Sequence, residues 1–224
     1  MKLLRSSLLA ALTIALTSSL FAQVAPKENP LVDAAKKLGV SGLSKEKTPE
    51  KSPLLFKPSG ERIYVDKYLT DMFGSGEEKA GMRSAVLEIM ESFEMSFKEG
   101  KVENDGASAL ALSLTIIYAV VYSAEVEANA IDDLTNKLRA SLNTPEIQKA
   151  TDKQKQEFYE WSLASSAVII AMAAGAETPE QIGRVQALAG AQIKNLIGTD
   201  VANLVLKGKS ATIVPKKDTQ GSRG

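Results

Sequence analysis

The sequence predicts an all-α, single-domain bundle of five to six helices around two strongly apolar central helices. Three observations lead to this prediction: apolar residues recur at helical spacing, helix caps divide the chain, and two long stretches carry no charge. These stretches are residues 106–124 and 161–176. A helix without a polar face belongs inside a bundle or in a bilayer. No segment shows a convincing two-residue alternation, so no strand is expected.

The first long helix is expected at residues 77–99. Its apolar residues share one face at three- and four-residue spacing, and Gly100 is a suitable stop. The apolar set comprises Met82, Val86, Ile89, Phe93 and Phe97.

Asn104 or Asp105 is expected to cap the central helix that begins at Gly106. This helix either continues to about residue 142 or restarts after a kink. A short helical turn is then expected after Thr144, where proline occupies the first helical position.

Two capping boxes predict the last long helices. Thr151 with Gln154 begins a helix that runs to about residue 174, and Thr178 with Gln181 begins a helix over 179–197. Gly198 ends the second of these. A last short helix is expected over 201–206.

Residues 1–22 have the order of features of a secretory signal peptide. Lys2 and Arg5 precede the uncharged stretch 6–21, and Ala22 is a small residue suitable for cleavage. The sequence therefore predicts an exported protein, periplasmic or extracellular. A buried N-terminal helix or an uncleaved anchor is the alternative.

Basic arms are expected on both sides of an acidic helical domain at 59–206. Residues 23–58 contain five of the eight prolines and seven lysines, which is typical of a flexible linker, and only residues 31–40 within it could form a short helix. Residues 207–224 carry five basic residues and one acid, which favours a disordered tail. Such arms could fold back onto the acidic body, bind an anionic envelope surface, or stay free in solvent.

The composition excludes several classes of function. The chain has no cysteine and no histidine, so disulfides, thiol nucleophiles and imidazole bases are ruled out. Equal numbers of acidic and basic residues and few aromatics argue against nucleic-acid binding. No nucleotide or nucleophile-elbow motif occurs, so we expect no catalytic residues and no cofactor.

Four glutamates of the first long helix suggest a carboxylate metal site, but their direction opposes it. Glu88 and Glu91 point away from the apolar face and Glu94 lies at its flank, whereas bundle metal sites project carboxylates inward, usually beside histidine. We therefore expect these side chains, with Glu99, to be solvated and to bind no metal.

A polar stripe on the central helix is the candidate ligand-binding site. Its members follow at three- and four-residue steps if the helix continues: Thr115, Tyr118, Tyr122, Glu125, Asn129 and Asp132. Because tyrosine combines an apolar ring with a polar tip, such a stripe could line a binding groove, with Tyr118, Tyr122, Glu125 and Asn129 as its centre. The alternative is that the stripe marks where the helix meets the rim of the bundle.

Short motifs in the chain resemble a family of exported bacterial helical proteins of unknown function. They are the run FKPSGER at 56–62, Asn104-Asp105 before an Ala/Leu-rich helix with Tyr118 and Tyr122, and Gln156 with Tyr159-Glu160. The resemblance covers about residues 56–206 and implies an exported helical domain without assigned activity. It brings no catalytic residues, but it implies roles beyond packing for Asn104, Asp105, Tyr159 and Glu160. Independently of the resemblance, Glu160 lies beside an apolar stretch of the sequence. We therefore expect its side chain to be partly buried and hydrogen-bonded to a tyrosine.

Three classes of function stay open. The first is a soluble, non-enzymatic envelope protein that binds a protein or small ligand. The second is a membrane-associated protein that uses helices 106–124 and 161–176 as an apolar hairpin, although acidic flanks without a basic collar argue against insertion. The third is a carboxylate-based hydrolase, which needs two inward-facing acids in one cleft.

Overall fold

The computed structural model describes residues 25–215. In chain order its elements are α1 (Pro30–Ser41), α2 (Val65–Phe73), α3 (Glu77–Glu99), α4 (Gly106–Tyr122), α5 (Ala128–Ser141), α6 (Pro145–Gln148), α7 (Asp152–Ala174), α8 (Pro179–Ile197), a 3₁₀ turn (Val201–Asn203), β1 (Leu204–Lys207) and β2 (Ser210–Ile213). The prediction of a helical bundle is confirmed, with eight α-helices rather than five to six in the described part of the chain.

The two uncharged helices form the centre, as predicted. Helix α4 packs against α7, α8 and α5, and α7 also packs against α3. Leu110, Leu114 and Ile117 of α4 and Leu163 of α7 are fully buried by these neighbours. Among the helices of residues 25–215, none combines the length and apolar character needed to cross a membrane.

The predicted helix caps are confirmed. The side chain of Asp105 accepts a hydrogen bond from the Ala107 backbone N–H, and both capping boxes, at Thr151 and Thr178, form in full. Gly198 ends α8 with a φ of 70°, a left-handed conformation that suits glycine. These ends are encoded locally, which is why they can be read from the sequence.

The central helix restarts rather than continuing to residue 142. It ends at Tyr122, Ser123 takes a left-handed conformation with a φ of 49°, and α5 begins only at Ala128. Because α5 then packs back on α4, the polar residues on the two helices do not form one stripe.

The segment expected as a flexible linker instead packs on the bundle. Within 25–58, α1 buries one face made of Leu31, Val32, Ala35 and Leu38, and its N-cap Asn29 also donates to the Gln154 carbonyl at 2.8 Å. Pro30 fits here because the first helical position needs no backbone N–H. The linker prediction rested on proline and lysine content, which does not reveal this buried face.

The C-terminal expectations also need correction. Residues 201–206 form a 3₁₀ turn and most of strand β1 rather than a helix, and the predicted tail contributes the turn at Gly208 and strand β2 of a β-hairpin. The hairpin is antiparallel, with Leu204 opposite Ile213, and it packs against α5. Its alternating buried residues anchor it: Leu204, Leu206, Ala211 and Ile213. The predicted signal peptide at 1–22 and tail residues 216–224 lie outside the described residues.

Candidate functional site

A groove of about 660 Å³ lies between the C-terminal half of α3, the first half of α7 and the segment 56–62. Glu103 and Asn104, just before α4, also line it. We call it the motif groove, because the FKPSGER run, Asn104, and Gln156 with Tyr159-Glu160 all contribute to its walls. Its volume falls in the range of small-molecule sites.

Backbone pairing fixes one end of the segment 56–62. The Phe56 N–H donates to the Asn104 carbonyl at 3.1 Å, and the Gly106 N–H donates to the Leu54 carbonyl at 3.2 Å. Asn104 has a φ of 54°, a left-handed conformation that asparagine tolerates better than most residues. This conformation turns the chain directly into α4 beside the groove.

Two buried side chains of α7 hold the rest of that segment. The Gln156 amide accepts from the Ser59 N–H at 2.9 Å and donates to the Glu61 carbonyl at 2.6 Å. The Glu160 carboxylate, 1% exposed, accepts from the N–H groups of Ile63 and Tyr64, at 2.9 and 2.7 Å.

Glu160 is buried, and several N–H groups donate to its carboxylate. The backbone N–H groups of Ile63 and Tyr64, just before α2, donate to it, and the Gln156 amide adds a bond of 2.8 Å. Burial of an acid requires such donors. Glu160 therefore positions the segment that forms the groove wall.

An ion pair forms the polar floor of the groove. The Arg62 guanidinium donates to both oxygens of Glu94, at 2.5 and 2.6 Å, and the Tyr159 hydroxyl donates to the same carboxylate at 3.3 Å. Hydrogen bonding to Glu94 raises the pKa of Arg62, and Glu160 adds to the effect. Burial, reinforced by the charge of Glu94, raises the pKa of Tyr159. Glu94, expected to be solvated, is thus half-buried and paired.

Aromatic rings support this floor. Tyr159 lies between Phe56 and Phe97, with ring centroids 5.3 and 6.3 Å apart, in edge and tilted arrangements. All three rings are more than nine-tenths buried. Met95, which is 64% exposed, adds an exposed apolar side chain to the groove.

Three glutamates at the rim are exposed: Glu61, Glu91 and Glu103. Within residues 25–215, none of the three takes part in an ion pair, and Lys98, an exposed basic residue that lines the groove, is likewise in no ion pair. No group of three or more acidic side chains in the described chain is arranged to hold a metal ion. The rim thus offers separate negative charges to a ligand.

Asp105 lies beneath the groove and serves structure. It is 1% exposed and accepts from Arg139 at 2.6 Å, from Ser52 at 2.6 Å and from Ser108 at 3.0 Å, in addition to capping α4. Asp105 therefore joins the segment before the groove to α4 and α5.

The predicted stripe residues do not line the motif groove. Tyr118 and Tyr122 contact each other on α4, with ring centroids 4.7 Å apart, and Tyr122 is exposed. Glu125 precedes α5 and Asn129 lies on its first turn, and both are exposed. The break after Tyr122 therefore places the two pairs on different elements of the described chain.

Arg62 and Glu94 were missed as site residues, because 32 positions separate them in the chain. Arg62 does close the FKPSGER run, which was the available signal. Glu94 sits at the flank of the apolar face of α3, where a partner from another element can reach it.

Comparison with known proteins adds the family. No curated protein and no solved structure matches the chain. One family model matches residues 8–211 and therefore spans the whole groove. The chain belongs to this family, which is described as a family of unknown function (DUF6683).

Proposed function

We propose that this protein is an exported, soluble, non-enzymatic binding protein of the bacterial envelope, and that the motif groove holds its ligand. The observation that carries the proposal is the groove itself. Its polar floor is the ion pair of Arg62 with Glu94, which two hydrogen bonds fix. The two side chains are only 28% and 31% exposed. A preorganised polar floor with an apolar wall is the usual design of a small-ligand site.

The carboxylates of the groove favour binding over hydrolysis. Glu94 and Glu160 line one cleft, as a carboxylate hydrolase requires. However, both oxygens of Glu94 accept from Arg62, and both oxygens of Glu160 accept from N–H donors. A general acid needs a proton to donate, and groups so surrounded by donors are suited to positioning instead.

Filling the groove tests the proposed binding site. We expect at least one member of a probe panel (maltotriose, trialanine, trilysine and triglutamate) to raise the melting temperature of the wild type. The variant Met95→Trp places a large ring in the groove and should abolish that rise. Val40→Trp, at a 58% exposed position on α1 away from the groove, is the matched control and should keep it. Binding that survives in Met95→Trp, or no binding by any probe, would refute the site.

Export is tested by fractionation of cells that express the full chain. Lys2 and Arg5 followed by an uncharged stretch support a cleaved signal peptide, and burial of α4 and α7 by other helices supports a soluble domain. We expect a shortened chain in the osmotic-shock fluid. Retention of the chain in alkali-washed membranes would favour the hairpin alternative instead.

A further inference from the structure

We infer that the motif groove binds an organic polycation, whose primary ammonium groups are carried on apolar stems, as in a polyamine or a lysine-rich peptide. This inference rests on the proposed function and names the ligand class of that same groove.

The charges around the groove carry the first step. Five glutamates and two basic residues line it. Glu94 is neutralised by Arg62, and Glu160 is satisfied by backbone and amide donors. Among the remaining charged residues that line the groove, Glu61, Glu91 and Glu103 outnumber Lys98, which leaves the lining net negative.

The floor of the groove holds a partly buried cation that two acids stabilise. Arg62 is partly buried, and burial alone would lower the pKa of a guanidinium. The pKa is nevertheless raised, because Glu94 and also Glu160 stabilise the cation.

The arrangement of the rim carboxylates favours an organic cation over a metal ion, because within the described residues they form no metal-holding group. They come from three separate parts of the chain: Glu61 from the segment 56–62, Glu91 from α3, and Glu103 from the loop before α4. In the described residues no acidic group of three could share one metal ion. A ligand with several ammonium groups along its length could instead reach more than one of them.

The apolar surface of the groove suits an alkyl stem. Met95 is 64% exposed and lies on the same helix as Glu91, one turn away, and Pro58 is exposed on the facing segment. A lysine-like side chain buries its methylene groups on apolar surface and keeps its charged head beside polar groups. An inorganic cation would leave this surface unused.

Calorimetric titration of the full chain with spermidine and with trilysine tests the inference. At low salt we expect spermidine, trilysine or both to bind the wild type. The double variant Glu91→Gln/Glu103→Gln should weaken binding about tenfold, since each exposed ion pair contributes a few-fold in affinity. Tighter binding of spermidine assigns a polyamine, and tighter binding of trilysine assigns a peptide.

The matched control is Glu88→Gln/Glu99→Gln, which removes two exposed glutamates of α3 that do not line the groove. It should bind both probes within about twofold of the wild type. Equal weakening in both double variants, or triglutamate binding at least as tightly as trilysine, would overturn the inference. Binding of maltotriose or trialanine in place of the cations would also overturn it and leave the proposed function standing. Failure of every probe would refute the proposed function itself.

Discussion

Replacing Asp105 with alanine is expected to lower the free energy of unfolding by about 3–5 kcal/mol. The substitution leaves Arg139 without its carboxylate and removes the cap of α4, and breaking a buried pair from one side typically costs this much. Ser52 and Ser108 also lose their acceptor. Urea denaturation followed by circular dichroism measures the change.

Asp66→Ala is the matched control for this prediction. Asp66 also accepts two bonds from an arginine, Arg83, but both side chains are about half exposed. Exposed pairs contribute about 0–1 kcal/mol, so we expect a loss of this size or less. Similar losses for the two variants would mean that the buried network around Asp105 contributes no more than a surface pair.

Local signals made much of the helical fold predictable. The capping boxes at Thr151 and Thr178 depend on residues three positions apart, and both form as expected. The end of α8 at Gly198 depends on the conformational freedom of one residue. The centre was also predictable, because 106–124 and 161–176 carry no charge and burial follows from that alone.

The remaining features depend on contacts between distant parts of the chain. The pairing of Arg62 with Glu94 depends on the packing of α2 and α3 against α7, and no local pattern encodes it. The polar stripe does not lie along one helix, because the helix ends before Ser123, a residue with no strong stop signal. The β-hairpin was missed since strands of four residues are too short for a clear alternation.

The linker prediction failed for a different physical reason. The composition of 23–58 is that of a mobile segment, yet α1 carries enough apolar residues at helical spacing to bury one face. Its docking on α8 depends on two glycines that approach closely, Gly39 and Gly198. A Cβ at Gly39 would lie 2.6 Å from the Gly198 carbonyl carbon. Amino-acid composition does not reveal such a close backbone contact.

Gly198→Ala is therefore expected to cost about 3 kcal/mol or more. The residue has a φ of 70°, which costs an L-residue about 1–2 kcal/mol, and its added methyl group would overlap with the backbone carbonyl of Lys36. Backbone cannot move aside as a side-chain end can, so overpacking adds about 1–3 kcal/mol. We expect α1 to detach first, which hydrogen exchange would report as lost protection over Pro30–Ser41.

Gly183→Ala in the same helix separates this effect from glycine replacement in general. Gly183 is exposed inside α8, and nothing lies within 4 Å of the Cβ position. Since alanine is the better helix former, we expect a gain of about 0.5–1 kcal/mol there. If Gly198→Ala were as harmless, or if α1 kept its protection, the segment 25–58 would be docked by contacts other than this close approach. A loss of stability in Gly198→Ala together with a gain in Gly183→Ala would instead establish that the close backbone contact at the end of α8 holds α1.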